Sequence, residues 1–243
     1  MSVSAPAAPT KANGLTTVLD VITSPSKGFE TLRAVPMWGW AYIITCIIAM
    51  IGQYLATPGV THAITAGWPA QVAANPQLAA MTPEQQQRGL QVAMSFIKFA
   101  WIIVPVFLLI GALLQSVIML IFKAIGRGDA SFKQLWASAM NTLVVGYGLY
   151  SLVYGLIVTV RGPASFNSTQ SLVASVPGLA WLVPAAPMKL VAFLSAFNIF
   201  AIWGAVLLTM AMVQVARTSR AVGISCAVVT TVLAGLYFSM SIK

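Results

Sequence analysis

Between Trp38 and Ala56 the chain reads WGWAYIITCIIAMIGQYLA, a run without a single charged side chain. About 20 predominantly apolar residues suffice to carry a helix across the hydrocarbon core of a bilayer. Trp38, Trp40 and Tyr42 gather at one end of the run, where amphipathic rings settle at the headgroup level. The stretch reads as a membrane span, and the whole composition agrees. Of 243 residues, 59% are hydrophobic and 7% charged, against roughly 25% charged in a soluble domain. An all-α, multi-pass membrane protein is the fold class this defines; a water-soluble core is excluded.

Towards the N-terminus, residues 1–13 hold Ala, Pro, Ser and Thr with one lysine, too little apolar surface to order a chain, so a disordered tail is expected. Residues 14–37 read as two short amphipathic helices. Leu15, Val18, Leu19 and Ile22 form one helical stripe. Ser24 and Pro25 suit an N-cap and first helical position, Phe29, Leu32 and Val35 make a second apolar face, and Pro36 ends it. Such short helices need a surface to lie on, and the membrane interface is the expected one. No apolar h-region precedes Trp38, so the first span is expected to persist in the mature protein.

Towards the C-terminus, a polar stretch of about forty residues follows, over 57–98, expected as an outer loop. Within it Thr82, Pro83 and Gln85 spell a capped helix start, and that helix is expected to run into a second span. Spans are expected at about 38–56, 99–122, 135–160, 189–213 and 222–242, five in all within a bundle over 38–243, with a kink at Pro105. The segment SLVASVPGLAWLVPAAP, broken by Pro177, Pro184 and Pro187, fits an interfacial or re-entrant piece. The pairs Ser151/Gly155 and Ala201/Ala205 have the spacing of close helix contacts.

The net charge of +9 is scattered between apolar runs, which makes it a topology signal and excludes a nucleic-acid surface. With the N-terminus in the cytoplasm, Lys11, Lys27, Arg33, Lys123, Arg127, Lys133, Arg217 and Arg220 lie inside. Arg88, Lys98, Arg161, Lys189 and Lys243 are then left outside, a bias that favours N-terminus in and C-terminus out. Cys46 and Cys226 fall inside apolar runs and read as packing residues.

Three stretches carry a family likeness. VITSPSKGFETLRAVPMW before the first span, FKAIGRGDASFKQLW between the second and third, and NIFAIWGAVLLTMAMVQVARTSRA through the fourth resemble the Yip (Ypt/Rab-interacting protein) family of five-span membrane proteins. The likeness extends from about Val18 to the C-terminus. It implies a cytoplasmic N-terminus and a five-helix bundle, and, for eukaryotic members, GTPase binding in vesicle trafficking and membrane shaping. The short tail holds no Asp-Leu-Tyr-Gly-Pro-like stretch, so the resemblance is to the bacterial branch, which implies the bacterial cytoplasmic (inner) membrane.

Catalytic signals are scarce. The carboxylates Asp20, Glu30, Glu84 and Asp129 all lie outside the spans, and His62 stands alone in the outer loop, leaving no acid–base pair, metal set or cofactor site to assign. A non-enzymatic role is expected, with the bilayer and a protein or anionic lipid as partners and a second copy of the chain as a further candidate. Its docking surface would comprise Lys27, Glu30, Arg33, Lys123, Arg127, Asp129, Phe132, Lys133, Arg217 and Arg220, with Arg127 and Asp129 forming a local ion pair. Gln53, Gln115, Asn141, Tyr147, Asn198 and Gln214 are polar groups within spans, either interhelical hydrogen-bonding groups or a path for a solute or lipid. The latter would make the protein a small permease.

Overall fold

The computed structural model describes residues 12–183 and 185–241. The expected tail over 1–13 falls almost wholly outside these residues, as do Pro184, Lys243 and the end of the last expected span. The described residues are mostly helical, without a named strand among them. Four helical segments are long and apolar enough to cross a membrane: Gly39–Ala74, Pro83–Ile125, Phe132–Arg161 and Arg220–Ser241.

Two short helices lead in, α1 (Gly14–Thr23) and α2 (Pro25–Ala34). Asn13 caps α1 through its side chain. Ser24 occupies the N-cap of α2 with Pro25 behind it, but its hydroxyl makes no capping bond. The apolar stripes are displaced from their sequence positions. In α1 the buried residues are Thr17, Val18 and Val21, while Leu15 and Leu19 are exposed; in α2 Phe29 and Leu32 are fully buried and Val35 is exposed. Phe29 and Leu32 belong to the bundle core, clustered with Leu135, Leu207 and Met212. The apolar face of α2 is therefore turned into the protein.

Helix α3 (Gly39–Ala74) runs 36 residues, far past the expected end at Ala56. It passes through Pro58 and Pro69, each of which removes an intrahelical hydrogen bond. Packing overrides that cost: Ala56 and Ala63 are buried in a cluster with Val158, Phe166 and Leu172. His62 therefore stands on a helix, its Nδ1 3.0 Å from the Phe166 carbonyl oxygen. After α4 (Pro76–Ala79), α5 (Pro83–Phe99) begins with both halves of the Thr82/Gln85 capping box in place. A 3₁₀ turn over Ala100–Ile103 leads into α6 (Val104–Ile125), with Pro105 at its start. The expected outer loop is thus a helical hairpin. Pro83–Ile125 counts 43 residues, about 65 Å of helix, twice the hydrocarbon thickness of about 30 Å.

Helix α7 (Phe132–Leu143) passes through a π-helical turn, Val144–Leu149, into α8 (Tyr150–Arg161). Here α3 and α8 approach backbone to backbone: a β-carbon at Gly52 or Gly155 would collide with the main chain of Ser151 or of Gly52. The expected close contact at Ser151/Gly155 is this one. After α9 (Thr169–Val173) and a 3₁₀ turn at Leu179–Leu182, the expected span 189–213 is found as two helices, α10 (Met188–Ser195) and α11 (Ile199–Gln214). Asn198 makes the break, its Oδ1 accepting from the amides of Phe200 and Ala201 at 3.0 Å each, while Gly178 pairs with it as an isolated bridge. Both pieces lie along α12 (Arg220–Ser241). A β-carbon would come 2.9 Å from the Thr209 carbonyl oxygen at Gly223 and 2.9 Å from that of Phe193 at Gly235. The broken pair α10–α11 therefore runs antiparallel to α12. Cys46 and Cys226 are both buried and unbridged.

Candidate functional site

Arg33, in the last turn of α2, joins three segments that are remote in sequence. Its Nη1 and Nη2 donate to Asp129 Oδ1 and Oδ2 at 3.0 and 2.9 Å, and Nη1 also donates to the Val215 carbonyl oxygen. The Asp129 amide donates to the Ala216 carbonyl at 3.2 Å. The loop after α6, the turn after α11 and α2 are tied at one knot. Gln134 seals it from α7: its Nε2 donates to the Arg33 carbonyl at 2.6 Å while its Oε1 accepts from the Ser131 amide at 2.8 Å. The expected local pair between Arg127 and Asp129 does not form; the fork geometry of a guanidinium matches a carboxylate presented from across the bundle end. The hydrogen bonds from Arg33 hold the Asp129 carboxyl below its usual range, and that bond to Asp129 raises the Arg33 guanidinium above its own.

Beside the knot lies a cleft of about 700 Å³ lined by Glu30, Arg33, Ala34, Gln134, Val213, Gln214 and Arg217. Helices α2 and α7 and the end of α11 form its walls. Of the expected docking residues, the structure brings Glu30, Arg33 and Arg217 to this cleft, with Asp129 held through Arg33. Lys27 is paired with Asp20 at 3.1 Å. Lys123, Arg127, Lys133 and Arg220 sit at the same end of the bundle, on or beside the two loops, without lining the cleft. Phe132 is exposed and leans on Trp136, with ring centroids 6.5 Å apart. Arg127 and Arg217 share a further feature, a left-handed backbone with φ of 51° and 58°. Each stands just past a helix C-terminus, where glycine is the usual occupant.

The polar residues expected within spans scatter. Gln115 donates to Thr142 Oγ1 at 2.8 Å, joining α6 to α7. Asn141 donates to the Met37 and Ala137 carbonyls at 3.0 and 2.8 Å, and its Oδ1 is buried without a partner. Asn198 is a helix cap. Gln214 belongs to the cleft, its Nε2 donating to Ser26 Oγ at 3.1 Å; the charged loop that follows places it at the helix end. Tyr147 packs beside Met140 and Val144, and Gln53 takes part through its carbonyl, which accepts from Thr57. A second cavity of about 130 Å³, between α6, the π turn, the α10–α11 break and α12, includes Gln115 but none of the others.

Sequence reasoning passed over Gln134. The signal was present, because Ser131-x-x-Gln134 has the form of a capping box, but the second partner of its amide lies on α2. Comparison of the chain with family models, curated proteins and solved structures finds no match.

Proposed function

We propose that the protein is a non-enzymatic, multi-pass membrane protein of the Yip kind that crosses the membrane five times. In this reading the broken pair α10–α11 is the fourth crossing in chain order, added to the four long helices, and the end bearing α1 and α2 faces the cytoplasm. That end is a docking surface for a protein partner or anionic lipid, serving membrane organisation or trafficking. The apolar composition and the four long helices support the membrane assignment. The antiparallel course of α10–α11 along α12 supports this additional crossing, and broken spans are tolerated where protein covers the freed backbone.

The observation that carries the docking reading is the knot at Arg33. It fixes α2 and two loops in one rigid surface, leaving Lys123, Arg127, Lys133, Arg217 and Arg220 outside any ion pair among the described residues. Each such cation near an acidic surface contributes about 1 kcal/mol. Charge reversal at Arg127, Lys133 and Arg220 tests it. The variants should insert normally yet lose the proteins and acidic lipids recovered after mild detergent extraction. Unchanged recovery overturns the reading.

A second reading, a small permease or lipid-moving protein, draws on the 130 Å³ cavity beside the helix break, where Gln115, Thr142, Thr230 and Thr231 stand among small residues. Discontinuous spans line substrate sites in transporters. Flux or scrambling by the protein in liposomes, abolished by Gln115→Leu, would favour it over docking.

A further inference from the structure

We infer that the cleft between α2, α7 and the end of α11 binds a zwitterionic phospholipid headgroup, with the phosphate on Arg217 and a primary ammonium on Glu30. The inference rests on the reading of this bundle end as a docking surface and names its ligand class. Three charged side chains line the cleft, and one of them is committed: Arg33 gives both terminal nitrogens to Asp129 and one of them also to Val215. Glu30 and Arg217 line the same cleft with neither in an ion pair nor a side-chain hydrogen bond, Arg217 feeling the Asp129 carboxylate only at longer range. The unspent charges of the cleft are therefore one of each sign.

That pairing discriminates between ligands. A purely anionic headgroup that reaches Arg217 also meets the Glu30 carboxylate, and a cationic one that reaches Glu30 meets Arg217. A ligand carrying both signs satisfies each. Guanidinium presents a donor fork suited to phosphate oxygens, and a carboxylate accepts from an ammonium N–H. Gln214 also lines the cleft, with its side-chain nitrogen spent elsewhere. Its Nε2 is used on Ser26, and its Oε1 is buried with no partner. Turning the amide over exchanges which atom is unmatched and still leaves one. A primary ammonium offers N–H donors to the Glu30 carboxylate; a quaternary ammonium has none.

Position and size agree. Val213 and Gln214 close α11 at the point where it leaves the apolar layer, and Trp38 and Trp40 stand exposed at the start of α3, the level at which such rings meet headgroups. The cleft volume of about 700 Å³ falls within the range of about 300–1,000 Å³ typical of small-molecule sites.

The test uses the full chain in nanodiscs containing equal parts of phosphatidylethanolamine, phosphatidylcholine and phosphatidylglycerol, with retained lipid counted by native mass spectrometry after release. Ethanolamine lipid should be enriched about fivefold over choline lipid, the size of effect one ionic contact gives. Glu30→Gln and Arg217→Gln should each abolish that enrichment, and Arg88→Gln, on α5, should leave it intact. Free phosphoethanolamine added at millimolar concentration should not displace the lipid if the acyl-bearing molecule is the ligand; displacement identifies the soluble headgroup instead. Enrichment of phosphatidylglycerol over phosphatidylethanolamine in the unsubstituted protein overturns the zwitterion assignment while the docking surface stands. Equal retention of all three lipids, unchanged in Arg217→Gln, overturns the headgroup site. Loss of recovered protein partners on loop charge reversal then decides the docking reading separately.

Discussion

Arg33 and Asp129, 96 positions apart, face each other through two near-parallel hydrogen bonds of 3.0 and 2.9 Å. The guanidinium side is the more covered, with 26% of its side chain exposed against 62% for the carboxylate. The pair is not an isolated surface contact, because the same guanidinium also holds the Val215 carbonyl. Removing Arg33 therefore releases both loops from α2. Arg33→Ala should speed proteolysis within 126–131 and 215–219, with Arg33→Lys intermediate, since an ammonium cannot reproduce the fork. Equal cleavage in both variants and the wild type would count against this role.

The same pair makes stability depend on acid. The folded-state carboxyl of Asp129 titrates below its ordinary value, so the pair contributes fully above the unfolded value of about 3.9. That contribution disappears as the pH falls through the lowered folded value. The melting temperature should drop on acidification below about pH 4, and Asp129→Asn should flatten that part of the decline. An unchanged acid limb in the variant would place its origin elsewhere.

Phe29 is fully buried within the bundle core. Phe29→Ala should cost about 3–5 kcal/mol, far more than any substitution at exposed Leu19. A helix merely resting on the membrane would lay both side chains in lipid and give comparable costs, and denaturation of the two variants in mixed micelles separates the outcomes.

Gly52 allows α3 to touch the main chain of α8 at Ser151. Gly52→Val cannot keep that approach, and the two helices must separate, at a cost of about 1–3 kcal/mol. Disulfide trapping of an introduced cysteine pair, Leu55→Cys with Thr159→Cys, should weaken in the valine background. These positions are adjacent in the wild type, where Thr159 Oγ1 lies 3.3 Å from the Leu55 carbonyl.

Arg127 occupies a left-handed backbone position at φ 51°. A side chain there costs about 1–2 kcal/mol relative to a right-handed conformation, so Arg127→Gly should raise the melting temperature. If docking needs the cation, the same variant should bind acidic lipid less well. A variant that gains stability and keeps binding would confine Arg127 to a structural role.

Much of this architecture is written in single stretches of sequence. Trp38 to Ala56 declares a span because burying that much apolar surface outside lipid is not possible in a chain so poor in charge. Thr82 and Gln85 declare a helix start because both capping partners lie within three residues. Pro36 ends α2 because its ring forbids the helix locally. These are short-range effects, and the structure has a helix at each place, although α3 continues past Ala56 to Ala74.

The remainder depends on what meets what. The polar composition after Ala56 points to an outer loop, yet Val158 and Phe166 pack against that stretch and keep it helical. Asn198 looked like an interhelical hydrogen-bonding group, but it caps the break between α10 and α11. Asp129 looked closest to Arg127, two positions away, while the bundle delivered Arg33 from 96 positions away. The likeness to the Yip family, the cytoplasmic end and the docking role stand as proposals built on these features. Sequence alone determined which segments are apolar and where α5 begins, since those properties are set by neighbours along the chain. Only the tertiary structure decided which loops share the knot at Arg33 and which charges remain unspent in the cleft, because pairings across the bundle are fixed by helix packing and leave no periodic trace in the sequence.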